Sequence, residues 1–143
     1  MSLHEVLLDA RNGGDLQAAI DQFPYARFLD LALAREGDRL ITTMRFSDML
    51  IGSPAPPTLH GGTVGALLEI AGTLQLMWDL AIDTPPKTVD ISIDYLRAGR
   101  THDTHAAASI TRQGRRVANV RVEAWQLSRA KPIALAQLHF LLT

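Results

Sequence analysis

The first two dozen residues place hydrophobic side chains at helical spacing. The residues that share this spacing are Leu3, Val6, Leu7 and Ala10. Asn12-Gly13-Gly14 follows and ends the segment, because these residues tolerate a positive φ. Asp15 is a suitable N-cap for a second short helix that reaches about Phe23, and Pro24 closes the region. Residues 1–25 are therefore predicted to form a helical extension that lies on the domain as a surface layer or lid.

From Ala26 onward the hydrophobic period is two, which is typical of β-strands. Two alternating segments, residues 28–35 and 39–46, flank a hairpin signal at Glu36-Gly37-Asp38. Residues 52–58 contain three prolines, so a stiff extended loop is expected there. After Pro85-Pro86 the alternation returns, in segments around 89–95, 106–110, 118–124 and 133–142. Short connections predict an antiparallel strand meander with one solvated face.

Residues 62–82 are apolar on nearly every helical face, and such a helix must be buried. A membrane span is the alternative. Glu69, Gln75 and Asp79 interrupt the run, however, and no uncharged stretch reaches the ~18 residues that a span needs. The sheet is therefore expected to curl around this helix, and the predicted fold class is α+β.

Composition narrows the function classes. With 143 residues the chain has the size of a single domain, so one domain spanning 1–143 is expected. Its 14 basic and 15 acidic residues give a net charge of −1, which argues against a nucleic-acid partner. The lack of cysteine excludes disulfides, thiol catalysis and Cys-based metal sites, and it fits a reducing compartment. The first residues carry charges and no basic leader, so we expect a soluble cytoplasmic protein with no signal peptide and no membrane partner.

His60-Gly61-Gly62 lies where the proline-rich segment meets the long helix. Glycines there leave backbone N–H groups uncovered, and a helix N-terminus presents unpaired donors with a partial positive charge. Such a place suits a carbonyl oxygen that becomes an oxyanion. The alternative is that the glycines only allow a sharp turn. His60 by itself is more typical of a residue that orients a loop than of a catalyst.

Glu69 is the one ionisable residue between His60 and Asp79. A carboxylate on a buried helix needs a partner or a raised pKa, and this environment suits a general base or nucleophile. Its neighbours on the same face lack bulk; they are Gly65, Gly72 and Thr73. We expect a ligand crevice along this stripe. The alternative is that the glycines admit a close-packed strand or helix and that Glu69 pairs with an arginine.

The distance from Gly62 to Glu69 is about 10 Å along a helix axis, since each residue rises by ~1.5 Å. A reacting atom must lie about 3 Å from both the oxyanion donor and the base. A site within one chain is therefore marginal. A symmetric dimer, in which Gly61-Gly62 of one chain faces Glu69 of the other, satisfies the distance.

Other candidates carry less weight. The group His102, Asp103 and His105 lies in a short polar turn, so no metal site is expected. Thr88 begins the strand after the helix and is a candidate to steer a water molecule. Several arginines are placed around strand ends, where they suit a phosphate-bearing ligand or a solvated rim; they are Arg97, Arg100, Arg112, Arg115 and Arg116.

Three segments carry a family resemblance: L-H-G-G-T-V-G-A-L-L-E-I-A, T-V-D-I-S-I-D-Y-L-R and R-Q-G-R-R-V-A-N-V-R-V-E-A-W. Over residues 39–142 the chain resembles the hotdog-fold acyl-CoA thioesterases of the phenylacetate-degradation branch. The resemblance implies that the Gly61 N–H binds the thioester carbonyl and that Glu69 activates water or attacks directly. It also implies that subunits share the site and that Thr88 helps to place the water. Pro54 departs from the family, which often has a polar residue six positions before the histidine.

The expected function is hydrolysis of an acyl-CoA thioester, with Gly61, Gly62, His60, Glu69 and Thr88 as the catalytic set. The expected substrate-binding residues are Gly65, Gly72, Thr73, Arg97, Arg115 and Arg116. No cofactor is expected beyond the coenzyme A of the substrate, and the chain is expected to form a homodimer that pairs again into a tetramer. Two alternatives stay open: an acyl-CoA hydratase or dehydratase, and a non-catalytic acyl-CoA binding module, which Pro54 favours.

Overall fold

The computed structural model of the protein describes residues 1–142 and begins with three short helical segments. They are α1 (Leu3–Arg11), a 3₁₀ helix (Leu16–Gln22) and α2 (Pro24–Phe28). Ser2 and Glu5 form a capping box at the start of α1, and Asp15 caps the 3₁₀ helix by accepting from the Gln17 N–H. The expectation that Pro24 ends the helical region is wrong. Pro24 begins α2, because a proline at the first helical position has no N–H to leave unpaired.

Eight strands and one long helix follow. They are β1 (Leu31–Glu36), β2 (Arg39–Met44), β3 (Ile51–Pro54), β4 (Pro57–Leu59), α3 (Gly61–Leu80), β5 (Lys87–Tyr95), β6 (Thr104–Gln113), β7 (Val117–Trp125) and β8 (Ala134–Leu141). The expected irregular loop at residues 52–58 is instead a small hairpin of β3 and β4. Its prolines are tolerated because they lie at strand ends and around the turn, where no ladder hydrogen bond is needed.

The main sheet is antiparallel, with the order β1-β2-β6-β7-β8-β5. Only β6, β7 and β8 form the expected meander. β5 pairs with β8, where Ile91 lies opposite Leu138, and β2 pairs with β6. The alternation of apolar residues predicts which face of a strand is buried and not which strand lies beside it. The prediction of one meander is therefore wrong in strand order, although the alternation predicts all six strands of the main sheet.

Helix α3 packs against the concave face of this sheet, which confirms the predicted α+β hotdog fold. Its largest side chains are almost fully buried, among them Leu67, Leu74 and Trp78. Each such side chain stabilises the fold by about 1.5–3 kcal/mol through apolar burial. Gln75, a polar residue of the buried face, accepts from the Leu40 N–H at 2.8 Å and so ties α3 to β2. Within residues 1–142 no helix is long and apolar enough to cross a membrane.

The two edges of the sheet differ. Along β1, the Gln17 side chain donates to the Leu31 carbonyl and accepts from the Leu33 N–H, both at 2.9 Å. This side chain pairs the β1 edge much as another strand would, so the N-terminal extension blocks that edge. No strand among the described residues pairs with the outer edge of β5. Apolar side chains there stay exposed, since Val89 is 62% and Tyr95 is 56% accessible.

Candidate active site

The N-terminus of α3 presents one backbone donor that has no partner. His60 is the N-cap, and its Nδ1 accepts from the Gly62 N–H at 2.9 Å. The His60 carbonyl accepts from the Thr63 N–H and hydroxyl. Within residues 1–142 nothing accepts from the Gly61 N–H. Because His60 Nδ1 accepts from the Gly62 N–H, Gly61 is the glycine of this pair whose N–H has no acceptor among residues 1–142, and His60 orders the turn.

Tyr95 holds the Gly61 peptide in place. Its hydroxyl donates to the Gly61 carbonyl at 2.8 Å. A Cβ on Gly61 would meet the Tyr95 ring at 3.3 Å, so a glycine fits here better than any larger residue. A cavity of about 310 Å³ lies beside this contact; its ten lining residues include Thr58, Val64 and Arg97. Arg97 is exposed and donates to the Pro132 carbonyl at 2.7 Å.

Glu69 lines a second cavity, of about 340 Å³. Its walls come from one face of α3, from the loop between α3 and β5, and from the N-terminal extension. The lining residues are Phe23, Pro24, Tyr25, Ala66, Glu69, Ile70, Thr73, Pro85, Pro86 and Thr88. Glu69 is the one charged residue among them, so the cavity is an apolar chamber with a single carboxylate.

The Glu69 carboxylate is partly exposed, and no described residue donates to it or forms an ion pair with it. The arginine partner of the alternative interpretation is therefore not present within residues 1–142. Thr73 does not bind the carboxylate, because its hydroxyl donates to the Glu69 backbone carbonyl at 2.9 Å. Thr88, the second residue of β5, lines the same cavity. A carboxylate with free lone pairs beside an apolar surface is available to accept a proton from water.

The expected crevice along Gly65 and Gly72 is wrong. A Cβ on Gly72 would contact Phe140 and Val122 at 3.4 Å, and one on Gly65 would contact Ile93 at 3.2 Å. Both glycines bring α3 close to the sheet, which is the alternative that the sequence left open. The cavity beside Glu69 is lined instead by Ala66, Ile70 and Thr73 of α3.

Gly61 and Glu69 are not brought together within one chain. The two cavities share no lining residue, and they lie toward opposite ends of β5, one near Tyr95 and the other near Thr88. Each chain therefore carries an unpartnered donor at one end of the strand and an unpartnered acid at the other.

The arginines divide between these ends as well. Arg97 follows β5 at the Gly61 end. Arg115 and Arg116 are exposed in the turn between β6 and β7, and Val117 beside them pairs with Leu141, which also pairs with Lys87. This turn therefore lies at the Glu69 end of the sheet.

The polar turn before β6 has structural roles. The Asp103 carboxylate accepts from the Phe46 N–H at 2.8 Å, and His105 Nδ1 and the Thr43 hydroxyl are hydrogen-bonded at 2.8 Å. Pro54, the departure from the family pattern, is exposed at the end of β3. It supplies no polar side chain to either cavity.

Three residues with a place in these cavities were missed from the sequence. The alternation of apolar residues predicts only that Tyr95 belongs to a strand. The pattern of residues 1–25 predicts only that Phe23 and Tyr25 belong to a surface layer. A tyrosine at the end of an exposed strand and two aromatics around a proline are the signals that were available. All three residues line cavities together with residues of α3, and hydrophobic periodicity does not report which elements lie beside each other.

Comparisons with known proteins add to this geometry. A model of the family described as the thioesterase superfamily matches residues 57–133. The chain is 31% identical over 115 residues to a Salmonella typhimurium protein named medium/long-chain acyl-CoA thioesterase YigI, a match that covers 70% of this chain and 74% of that protein. An Escherichia coli K12 protein of the same name matches at 31% over 114 residues.

Solved structures show the same architecture. A Chromobacterium violaceum protein is 38% identical, with a TM-score of 0.75 and 97% of each chain covered. A phenylacetic acid degradation-related protein from Ralstonia eutropha has the same TM-score at 20% identity and 99% coverage of each chain. At that identity the second structure shows a shared fold alone. The family match begins at β4 and ends just before β8, so it contains α3 and both Gly61 and Glu69.

Proposed function

Because the chain belongs to the thioesterase superfamily, we propose that it is an acyl-CoA thioesterase, which hydrolyses its substrate to a free acid and coenzyme A. One observation carries the proposal: α3 holds both an unpartnered N–H at its first residue, Gly61, and an unpartnered carboxylate at Glu69. The first suits an oxyanion and the second suits a water molecule. Thioester hydrolysis needs both groups.

The Gly61 N–H binds the thioester carbonyl oxygen and stabilises the negative charge that develops on it, with help from the dipole of α3. Glu69 accepts a proton from water as the water oxygen attacks the carbonyl carbon. When the C–S bond breaks, the sulfur leaves as the thiolate of coenzyme A and takes up the proton that Glu69 accepted, which returns Glu69 to the carboxylate. In the alternative route Glu69 itself attacks and forms an anhydride, which water then opens. In this proposal Thr88 holds the water, and its position in the lining of the Glu69 cavity supports that role.

Two chains complete the site in this proposal. The N-terminal extension blocks the β1 edge, so β5 is the edge that is free to pair with a second copy. Antiparallel pairing of two β5 strands about a two-fold axis sets the Thr88 end of one strand beside the Tyr95 end of the other. The Glu69 cavity of one chain then faces the Gly61 cavity of its partner. This pairing also covers the exposed side chains of Val89 and Tyr95.

The same pairing gathers the arginines. Arg97 of one chain then lies at the same end of the shared site as Arg115 and Arg116 of the other chain. There these arginines suit the phosphates of coenzyme A. We extend the proposal to a tetramer, in which two such dimers pair again.

The acyl group belongs in the Glu69 cavity. Its lining is apolar apart from Glu69, two threonines and the Tyr25 hydroxyl, so it suits a hydrocarbon group. The names of the curated relatives favour medium or long acyl chains. The narrower phenylacetate-degradation branch would instead favour an aromatic acyl group, so both classes belong in the assay.

The test is hydrolysis of an acyl-CoA panel by the wild type, Glu69→Gln and a matched control, Glu36→Gln, whose carboxylate is on the exposed β1–β2 hairpin. Release of free thiol reports turnover. Glu69→Gln is expected to lose on the order of 10²–10⁴ in kcat with an unchanged fold, because an amide cannot take the proton. Glu36→Gln is expected to match the wild type.

Wild-type turnover by Glu69→Gln would remove the acid from the mechanism. Tight binding of acyl-CoA by the wild type without thiol release would favour the non-catalytic binding module. Pro54 favours that alternative because it stands where the family often has a polar residue. Loss of an enoyl-CoA double bond without thiol release would favour the hydratase.

A further inference from the structure

We propose that Phe23 and Tyr25 of the N-terminal extension form the wall that sets which acyl groups the enzyme accepts. This inference rests on the proposed function and goes beyond it, because it assigns substrate selection to a segment that the family match at residues 57–133 does not include. Gly61 and Glu69 lie on α3, and the selecting side chains lie on a separate element.

The Glu69 cavity has three walls. Ala66, Ile70 and Thr73 of α3 form the first, and the Pro85-Pro86 loop forms the second. The extension supplies the third with two aromatic rings on either side of Pro24.

This third wall is fixed in place. Ala26, the residue after Tyr25 in α2, is fully buried, and so is Ala19 of the 3₁₀ helix. Gln17 ties the same helix to the β1 edge through two hydrogen bonds. Tyr25 also stacks on Phe28, with ring centroids 5.8 Å apart. A wall anchored in this way can limit the shape of a ligand, whereas a loose segment would yield to it.

The chemistry of the lining defines what the wall meets. Apart from the Tyr25 hydroxyl of the third wall, Glu69 and Thr88 are the polar side chains free to face the reacting carbonyl, because the Thr73 hydroxyl is bound to the backbone of α3. An acyl tail that leads away from that carbonyl therefore contacts aliphatic side chains, prolines and the two aromatic rings. Each methylene that gains or loses such contact changes binding about fourfold.

The test compares kcat/KM over an acyl-CoA series from butyryl to palmitoyl, with phenylacetyl-CoA added. Phe23→Ala and Tyr25→Ala enlarge the cavity and are expected to move the preferred chain length upward by two or more carbons. Phe23→Trp reduces the space and is expected to move it downward. Leu8→Ala is the control, because Leu8 is an exposed residue of α1 in the same extension and does not line the cavity.

Opposite shifts from smaller and larger residues distinguish selection from a general loss of stability, which would lower every rate by one factor. Parallel profiles in all variants would overturn this inference and leave the proposed function standing. No turnover by the wild type would overturn the proposed function, and this inference with it. If Phe23→Ala does not fold, Tyr25→Ala decides the question, because Tyr25 is 52% exposed and its truncation leaves the core intact.

Discussion

Removing the backbone N–H donor of Gly61 tests the oxyanion site. Gly61→Pro deletes the N–H, and the local backbone accepts the change. Gly61 is the first residue of α3, where proline is favoured, and His60 before it has φ −66° and ψ 126°, in the region that a following proline requires. No described residue accepts from this N–H, so its loss breaks no hydrogen bond of the fold.

Gly61→Ala is the matched variant. Both substitutions add a Cβ that meets the Tyr95 ring at 3.3 Å, so both require the ring to move by a few tenths of an ångström. Only the proline removes the donor. Proline also places its Cδ where the hydrogen was, so the ratio of the two rates reports the loss of the oxyanion position as a whole, corrected for the Cβ contact that both variants share.

Loss of one oxyanion donor costs about 10²–10³ in kcat, or about 2.7–4 kcal/mol of transition-state stabilisation. We expect Gly61→Pro to be slower than Gly61→Ala by this factor with the best acyl-CoA of the panel, while the two thermal midpoints stay within a few degrees. The measurement is steady-state thiol release together with a melting curve. Equal kcat values for the two variants would refute the assignment of the oxyanion site to Gly61.

Two further predictions follow from contacts around the site. Gln17→Ala removes two hydrogen bonds to β1, each worth about 0.5–1.5 kcal/mol, so the free energy of unfolding in urea is expected to fall by about 1–3 kcal/mol; an unchanged value would show that the β1 edge does not need this cover. Tyr95→Phe removes the hydroxyl that holds the Gly61 carbonyl, and it is expected to lower kcat by about tenfold with KM nearly constant, whereas a change in KM alone would place Tyr95 in substrate binding.

The fold was predictable from the sequence because its elements have clear periods. The apolar run on every face of α3 requires a buried helix, and alternating strands require a sheet to cover it. Strand order was not predictable, since the alternation of Ile91 and Ile93 reports a buried face and leaves the neighbouring strand open. The hairpin of β3 and β4 was missed because prolines at strand ends look the same in sequence as prolines in a loop.

The candidate site was predictable in part. Glycines at a helix start and one acid inside an apolar helix pointed to Gly61 and Glu69 without any contact information. The crevice along Gly72 was wrong, because a missing side chain can make room for a ligand or for Phe140, and only the packing decides between them. Tyr95 was missed for a related reason: its hydrogen bond joins residues 34 positions apart.

Shared catalysis between two chains is the central claim, and a mixed dimer tests it most directly. Gly61→Pro and Glu69→Gln are each expected to be inactive as homodimers. In a dimer of one chain of each kind, a shared site combines the intact Gly61 of one chain with the intact Glu69 of the other, and the second site carries both defects. Equal co-expression is therefore expected to restore about a quarter of the wild-type rate, since about half of the dimers are mixed and each has one working site. No recovery in proven mixed dimers would place Gly61 and Glu69 of one site in the same chain and would contradict the account.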